Sequence, residues 1–276
     1  MINSENRIMG TPKIYFLSTG RAGTNFLYRI ITGIYPEIRL THQVRWSRLI
    51  NIAGNILMVD AVPSHLVKGV YSLFKRVQTP ESTVDPLQSI AISLFLKNEK
   101  KWHEHRIVHV VRDPRDYVSS VINWKNQRLR RIFLHHCVPF WQPNPIFCGN
   151  VAILKRMKMN KLEYFSWNWN FKNSFFAKMF NPEENYYLVR MEDLINAQIG
   201  HQNFQKLFDF LNLPNVKSSW DHLLNRKVNA SARNGFANWK SWNSKQAKIL
   251  DRYCGVLMRK YGYGNEERWI EKLREE

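Results

Sequence analysis

The chain has 276 residues, 44% of them hydrophobic, enough to bury a full core, so one domain over 1–276 is the simplest reading and bulk disorder is excluded. Its 41 Lys and Arg against 22 Asp and Glu give a formal charge of +19, which calls for an anionic partner (nucleotide, polyanion, nucleic acid or membrane surface) without choosing among them. The polar start MINSENRIMGTPK, the lack of an apolar run long enough to span a bilayer, and three scattered cysteines (Cys137, Cys148, Cys254) fit a cytoplasmic protein with reduced thiols.

Ile14 to Leu17 is a short apolar run of strand-forming residues. Ser18 to Thr24 then turns the chain, and Phe26, Leu27, Ile30, Ile31 and Ile34 recur at helical spacing. Ile38 to His42 reads as a second short strand. Helical patterns follow at 44–56, 64–77 and 86–100, with PESTVDP (80–86) as a loop between the last two. Ile107 to Val111 is near-continuously apolar, as expected of a strand in a parallel sheet buried on both faces. Asp113 and Pro114 follow as cap and first residue of a helix whose buried stripe is Val118, Val121 and Ile122.

The stretch 124–170 differs in character. It is basic and aromatic, with Pro139, Pro143 and Pro145 enforcing an irregular course at its centre, and reads as an excursion over the active face rather than a separate domain. His135, His136, Cys137 and Cys148 fit no zinc spacing, so no metal is expected. Tyr186 to Val189 is a further strand, and Phe204, Leu207, Phe208 and Leu211 mark a helix ending before Pro214. A basic loop, 227–242, precedes a helix carrying Ile249, Leu250, Tyr253, Leu257 and Met258, which leads to Tyr261-Gly262-Tyr263. Strands alternating with helices give an α/β fold with a central parallel sheet flanked by helices.

The first strand, turn and helix form a cradle for an anion. Gly20 and Gly23 let backbone N–H groups converge, the first helical turn favours negative charge, and Arg21 adds a forked cation suited to phosphate or sulfate. An ordinary strand–turn–helix with a surface arginine is the plainer alternative. A triphosphate-binding loop of the form G-x-x-x-x-G-K-S/T needs a lysine after its second glycine, where this chain has Thr24.

The cradle, VVRDPRDYVSS (110–120), YYLVRMEDL (186–194) and RNGFANWK (233–240) occur in an order that resembles a sulfotransferase using 3′-phosphoadenosine 5′-phosphosulfate (PAPS), over about residues 13 to 263. The resemblance implies a P-loop nucleoside-kinase-like fold, as in bacterial, carbohydrate-type members. It implies that the 5′-phosphosulfate is held by Ser18, Gly20, Arg21, Ala22, Gly23, Thr24 and Asn25, in place of the family's R/K-S-G-T-T. It assigns the 3′-phosphate to Arg112 and Ser120, eight residues apart and so about two helical turns, together with Arg233, Asn234 and Gly235 of the late loop. Met191 stands where an aromatic residue usually precedes Glu-Asp. Arg115 and Asp116 also read as local helix-cap ion pairs.

The same resemblance, through PEIRLTHQ (36–43), puts His42 where tyrosylprotein sulfotransferases carry a glutamate base, and a neutral imidazole suits that task. A strand-end histidine packed beneath the sheet is the alternative. The catalytic pair implied is His42 and Arg21, with His65 in reserve. Lys68 and Lys97 are the candidates for a lysine near the sulfuryl group. The implied product is adenosine 3′,5′-bisphosphate. The acceptor is a hydroxyl, on a carbohydrate or glycolipid in the first instance and on a phenolic small molecule in the second, with peripheral contact to an anionic membrane surface. Two rival classes stand beside this reading. A basic nucleic-acid-binding protein would use the +19 charge and ten tryptophans, but no recognised motif accompanies them and no nucleic acid is expected. A nucleotide kinase would want the absent lysine.

Overall fold

The computed structural model describes residues 12–43, 46–59, 69, 82–97, 99–126, 129, 133, 137–138, 140–145, 148, 158–180, 183–214 and 235–275. Five strands, β1 (Ile14–Ser18), β2 (Leu40–Thr41), β3 (Ser82–Thr83), β4 (Arg106–Val111) and β5 (Tyr186–Arg190), form one sheet in the order β2-β3-β1-β4-β5. Every pairing is parallel. The carboxyl ends of the strands therefore all lie along one edge, where open α/β sheets bind ligands.

β1, β4 and β5 are the apolar runs expected. Phe16, Leu17, Ile107, Val108, Val110 and Val111 are fully buried, each large side chain worth about 1.5–3 kcal/mol on transfer from water. β4 carries one buried polar residue. His109 is fully buried, its Nε2–H donating to Asn173 Oδ1 at 2.9 Å while Nδ1 accepts from the Tyr186 hydroxyl at 2.7 Å.

The stretch expected as a loop at 80–86 contains β3. It is only two residues long and polar, so no periodicity marks it. Its Ser82 Oγ accepts from the Ile14 N–H at 2.8 Å, and Thr83 lies beside both Tyr15 and Thr41, making β3 the bridge between β1 and the outer β2.

On one face, α1 (Thr24–Ile34) lays Phe26, Leu27, Ile30 and Ile31 against Phe16, Val108 and Val110. Further along the chain, α2 (Ser47–Leu57) packs on α3 (Ser89–Lys97) through Ile50 and Ala91. The opposite face is covered by α3 and by α5 (Lys161–Phe180), which meet Tyr15, Leu17 and Ile107. α4 (Pro114–Asn126) begins at the proline expected, and Asp113 Oδ1 caps it by accepting from the Arg115 N–H at 2.8 Å.

α5 corrects the reading of 124–170 as one excursion. From Lys161 onward the chain is a core helix, with Phe165, Trp169, Phe176 and Phe180 at or near zero exposure. It has buried side chains on several flanks because α3, α4 and a later helix all pack around it. The single-stripe pattern that reveals a surface helix is therefore missing.

After β5 come α6 (Met191–Leu194) and α7 (Gly200–Phe210). The latter joins α1 on its face through Phe204, Leu207 and Phe208. α8 (Ser244–Lys260) is capped by a reciprocal Asn243–Gln246 box and returns to the α4/α5 side. The last helix, α9 (Glu267–Arg274), was not anticipated from the sequence: it is short and five of its eight residues are charged, with Trp269 fully buried and Leu273 partly buried beside it. No described helix is long and apolar enough to cross a membrane.

Candidate active site

The turn after β1 is built from left-handed backbone. Gly20 (φ 80°), Arg21 (φ 54°) and Gly23 (φ 79°) all lie in that region, with Gly23 as the N-cap of α1. The Gly20 N–H donates to Ser18 Oγ at 3.2 Å, and the Ser18 N–H to Ser89 Oγ at 3.0 Å, which ties the turn to α3. Ala22 and Thr24 are buried, whereas Gly20, Arg21, Gly23 and Asn25 are half-buried. No acidic residue occupies the first turn of α1, so its outward N–H groups keep a positive field.

Arg21 reaches across to the neighbouring junction. Its Nε donates to Ser120 Oγ at 3.1 Å, and its carbonyl accepts from Arg112 Nη1 at 2.8 Å. The β1–α1 and β4–α4 junctions are thus in direct contact, and Arg21, Arg112 and Ser120 gather at one point. Trp169 fixes the strand end from below by donating its indole N–H to the Arg112 carbonyl at 2.9 Å.

Of the late loop, Gly235 is described; Arg233 and Asn234 lie outside the described residues, as do His65, Lys68, His135 and His136. Gly235 sits on α4, where an added Cβ would come within 2.1 Å of Asn123 Oδ1. Asn123 bonds the Phe236 backbone twice, accepting from its N–H at 2.5 Å and donating to its carbonyl at 2.9 Å. Ser119 Oγ donates to the Ala237 carbonyl at 3.1 Å. Asn123 and Ser119 escaped the sequence reading, although they are one turn apart on the helix that carries Ser120.

His42 is not brought to the Arg21–Ser120 contact. It follows β2, two strands from β1 or about 10 Å by ordinary strand spacing. It is half-buried on the α1 side, its ring 5.5 Å from that of Tyr28. Burial holds its pKa below the ordinary histidine value and Asp85 opposes that shift, which leaves a neutral imidazole at pH 7. Lys97 lies at the opposite edge of the sheet. Its Nζ is 3.9 Å over the Trp102 ring and 3.6 Å from Glu183, both just ahead of the strands they precede, so it does not face the turn after β1.

Glu192, in the short helix α6 that follows β5, links the remaining parts. Its carboxylate accepts from the Asp113 N–H at 3.0 Å and from the Tyr263 hydroxyl at 2.6 Å. Met191 covers the first turn instead of offering an aromatic face, since a Cβ at Gly23 would lie 2.4 Å from its Sδ. Arg115 makes the local helix-cap ion pair expected, with Asp113, but it is 1% exposed and is held as well by the distant Glu266. Among the described residues no cluster of His, Cys, Asp or Glu is arranged to hold a metal ion.

No protein-family model and no curated protein matches the chain. Among solved structures, it is similar to the crystal structure of mouse sulfotransferase SULT7A1 complexed with PAP, at 12% identity over 96% of this chain and 89% of that one, with a TM-score of 0.47. A likeness that distant assigns nothing to this chain, whose own geometry is that of an α/β protein with an all-parallel sheet and a cationic, hydroxyl-lined junction at its carboxyl edge.

Proposed function

We propose that the chain is a sulfotransferase that takes its sulfuryl group from PAPS. The observation that carries this reading is the contact of Arg21 with both Ser120 and Arg112. It puts the β1–α1 and β4–α4 junctions side by side, which supports a pair of anion pockets such as a nucleotide phosphorylated at two ends requires. The residues fit such a ligand. The left-handed turn and the acid-free mouth of α1 suit the 5′-phosphosulfate, and Arg112 with Ser120 suits the 3′-phosphate. Arg233 and Asn234, which precede Gly235 in the sequence and lie outside the described residues, are assigned to the same phosphate by the motif alone.

When bound, PAPS supplies an activated sulfuryl group. An acceptor hydroxyl oxygen bonds to sulfur as the bridging S–O bond to the 5′-phosphate breaks, leaving adenosine 3′,5′-bisphosphate. His42 takes the hydroxyl proton, and its lowered pKa keeps it ready to do so at neutral pH. Arg21 and the N–H groups of the first α1 turn offset charge on the departing phosphate. The acceptor we favour is a carbohydrate or glycolipid, since the acid-free, aromatic sequence 124–160 suits stacking of sugar rings and approach to anionic surfaces. A cytoplasmic site of action is part of the same proposal.

Thermal-shift titration with adenosine 3′,5′-bisphosphate, ATP plus magnesium, and DNA tests the reading. Stabilisation by the bisphosphate alone is expected; stabilisation by ATP or DNA alone would replace it with a kinase or a nucleic-acid-binding protein. With labelled donor and a mixed acceptor panel, Arg21→Ala and His42→Ala should each fold and lose transfer, the histidine variant by about 10²–10⁴-fold. Full activity in His42→Ala would reassign the base.

A further inference from the structure

The backbone from Gly235 to Trp242 is gripped from two sides. On one side is α4, through Asn123 and Ser119 as described above. On the other is the C-terminal segment. Arg268 Nη2 donates to the Lys240 carbonyl at 2.7 Å, and Lys272 Nζ donates to the Trp242 carbonyl. Within the loop, Trp239–Ser241 forms a 3₁₀ turn, and the Trp242 indole N–H donates to the Ala237 carbonyl at 2.9 Å.

Arg115 stands where these parts meet. Its guanidinium lies 4.0 Å from the Trp239 ring centroid and 5.1 Å from that of Trp269, and the two indoles meet edge to face. It makes two bonds to Glu266, at 2.7 and 2.6 Å, while also holding Asp113, the cap of α4. A buried guanidinium whose Nε, Nη1 and Nη2 all bond to two carboxylates, between two indole rings, is poorly placed to serve as a ligand contact. It is suited to fixing geometry.

We propose that α9 is a latch. Through Glu266 and Trp269 it locks Arg115 and Trp239, and so holds the 235–242 loop against the helix that bears Ser120. Glu266 and Arg115 are positioning residues for the 3′ end of the nucleotide, acting through the loop. The consequence for the nucleotide rests on the sulfotransferase reading; the latch itself does not.

The variant to use is Glu266→Gln in the full chain, because Glu266 is half-exposed at the start of the helix and its amide isostere leaves the fold intact. Arg115→Ala would strand Asp113 and is unsuitable. Two measurements are made. Amide hydrogen exchange should rise across 235–242 in the variant, with β1 and β4 unchanged, and Glu266→Asp should restore part of the protection. Calorimetric titration should show adenosine 3′,5′-bisphosphate bound about tenfold more weakly, as for loss of a charge-assisted bond, while AMP, which lacks the 3′-phosphate, binds as to the wild type.

Equal weakening of both nucleotides, or of neither, overturns the positioning role. Unchanged exchange across 235–242 overturns the latch. Failure of the wild type to bind the bisphosphate removes the sulfotransferase reading and with it the role at the 3′ end, and the exchange data then decide the latch alone.

Discussion

Gly23→Ala is the substitution whose cost follows most directly from the structure. Two terms add. Alanine at φ 79° and ψ 12° occupies the left-handed region, at about 1–2 kcal/mol. Its Cβ would meet Met191 Sδ at 2.4 Å, Cε at 2.7 Å and Cγ at 3.0 Å. Met191 is flexible but 7% exposed and packed in the α1 cluster, so its displacement adds roughly 1–3 kcal/mol of overpacking. A total near 3 kcal/mol should lower the melting temperature by about 6 °C in a chain of this size. Met191→Ala removes the second term and leaves the first. In that background Gly23→Ala should therefore cost only about 1–2 kcal/mol, a coupling that urea denaturation of the four-member cycle measures. Binding of adenosine 3′,5′-bisphosphate should weaken in both backgrounds, because the left-handed cap aims the first N–H groups of α1. Equal costs in the two backgrounds would show that Met191 does not press on Gly23. A neutral Gly23→Ala would refute the left-handed turn and the anion cradle with it.

Two further outcomes are expected. Burial pushes His109 down to about 4 despite its bond to Asn173, so the unfolded chain takes up a proton that the folded one refuses as pH falls through the ordinary histidine range. Stability should drop by about 3 kcal/mol between pH 7 and pH 4. Urea midpoints over that range check this, and His109→Gln should flatten the slope by the same amount. Asn123→Ala leaves the Phe236 N–H and carbonyl without their described partner and should cost about 1–3 kcal/mol, with raised amide exchange confined to residues near 235–242.

The parts of the fold legible in the sequence were those whose signal is local. β1 and β4 announce themselves because burial on both faces demands unbroken apolar runs, β5 by its short Tyr-Tyr-Leu-Val run although only Val189 is buried, and Asp113-Pro114 states the start of α4 in its own chemistry. β3 was hidden because Ser82 and Thr83 pair through backbone and hydroxyl groups that any polar loop also carries. α5 was hidden because helices on several sides leave it no polar face from which a period can be counted. At the site, a short motif suffices to flag Arg21, Arg112 and Ser120, since their side chains bear the charge and the hydroxyl. Asn123, Glu192 and Glu266 act by bonding to backbone or to residues far along the chain. Nothing in their immediate neighbours records such partners.

The two halves of the carboxyl edge are anchored unequally. The turn that carries Arg21 and the helix that carries Ser120 spring from strands of five and six residues at the centre of the sheet, whereas His42 hangs from a two-residue strand joined to the centre by another of two. Local opening concentrates where few backbone bonds must break, so the outer flank can breathe while the central junctions stay shut. On the sulfotransferase reading proposed above, such a chain would change its acceptor by altering the rim while the seat of the donor kept an undisturbed frame.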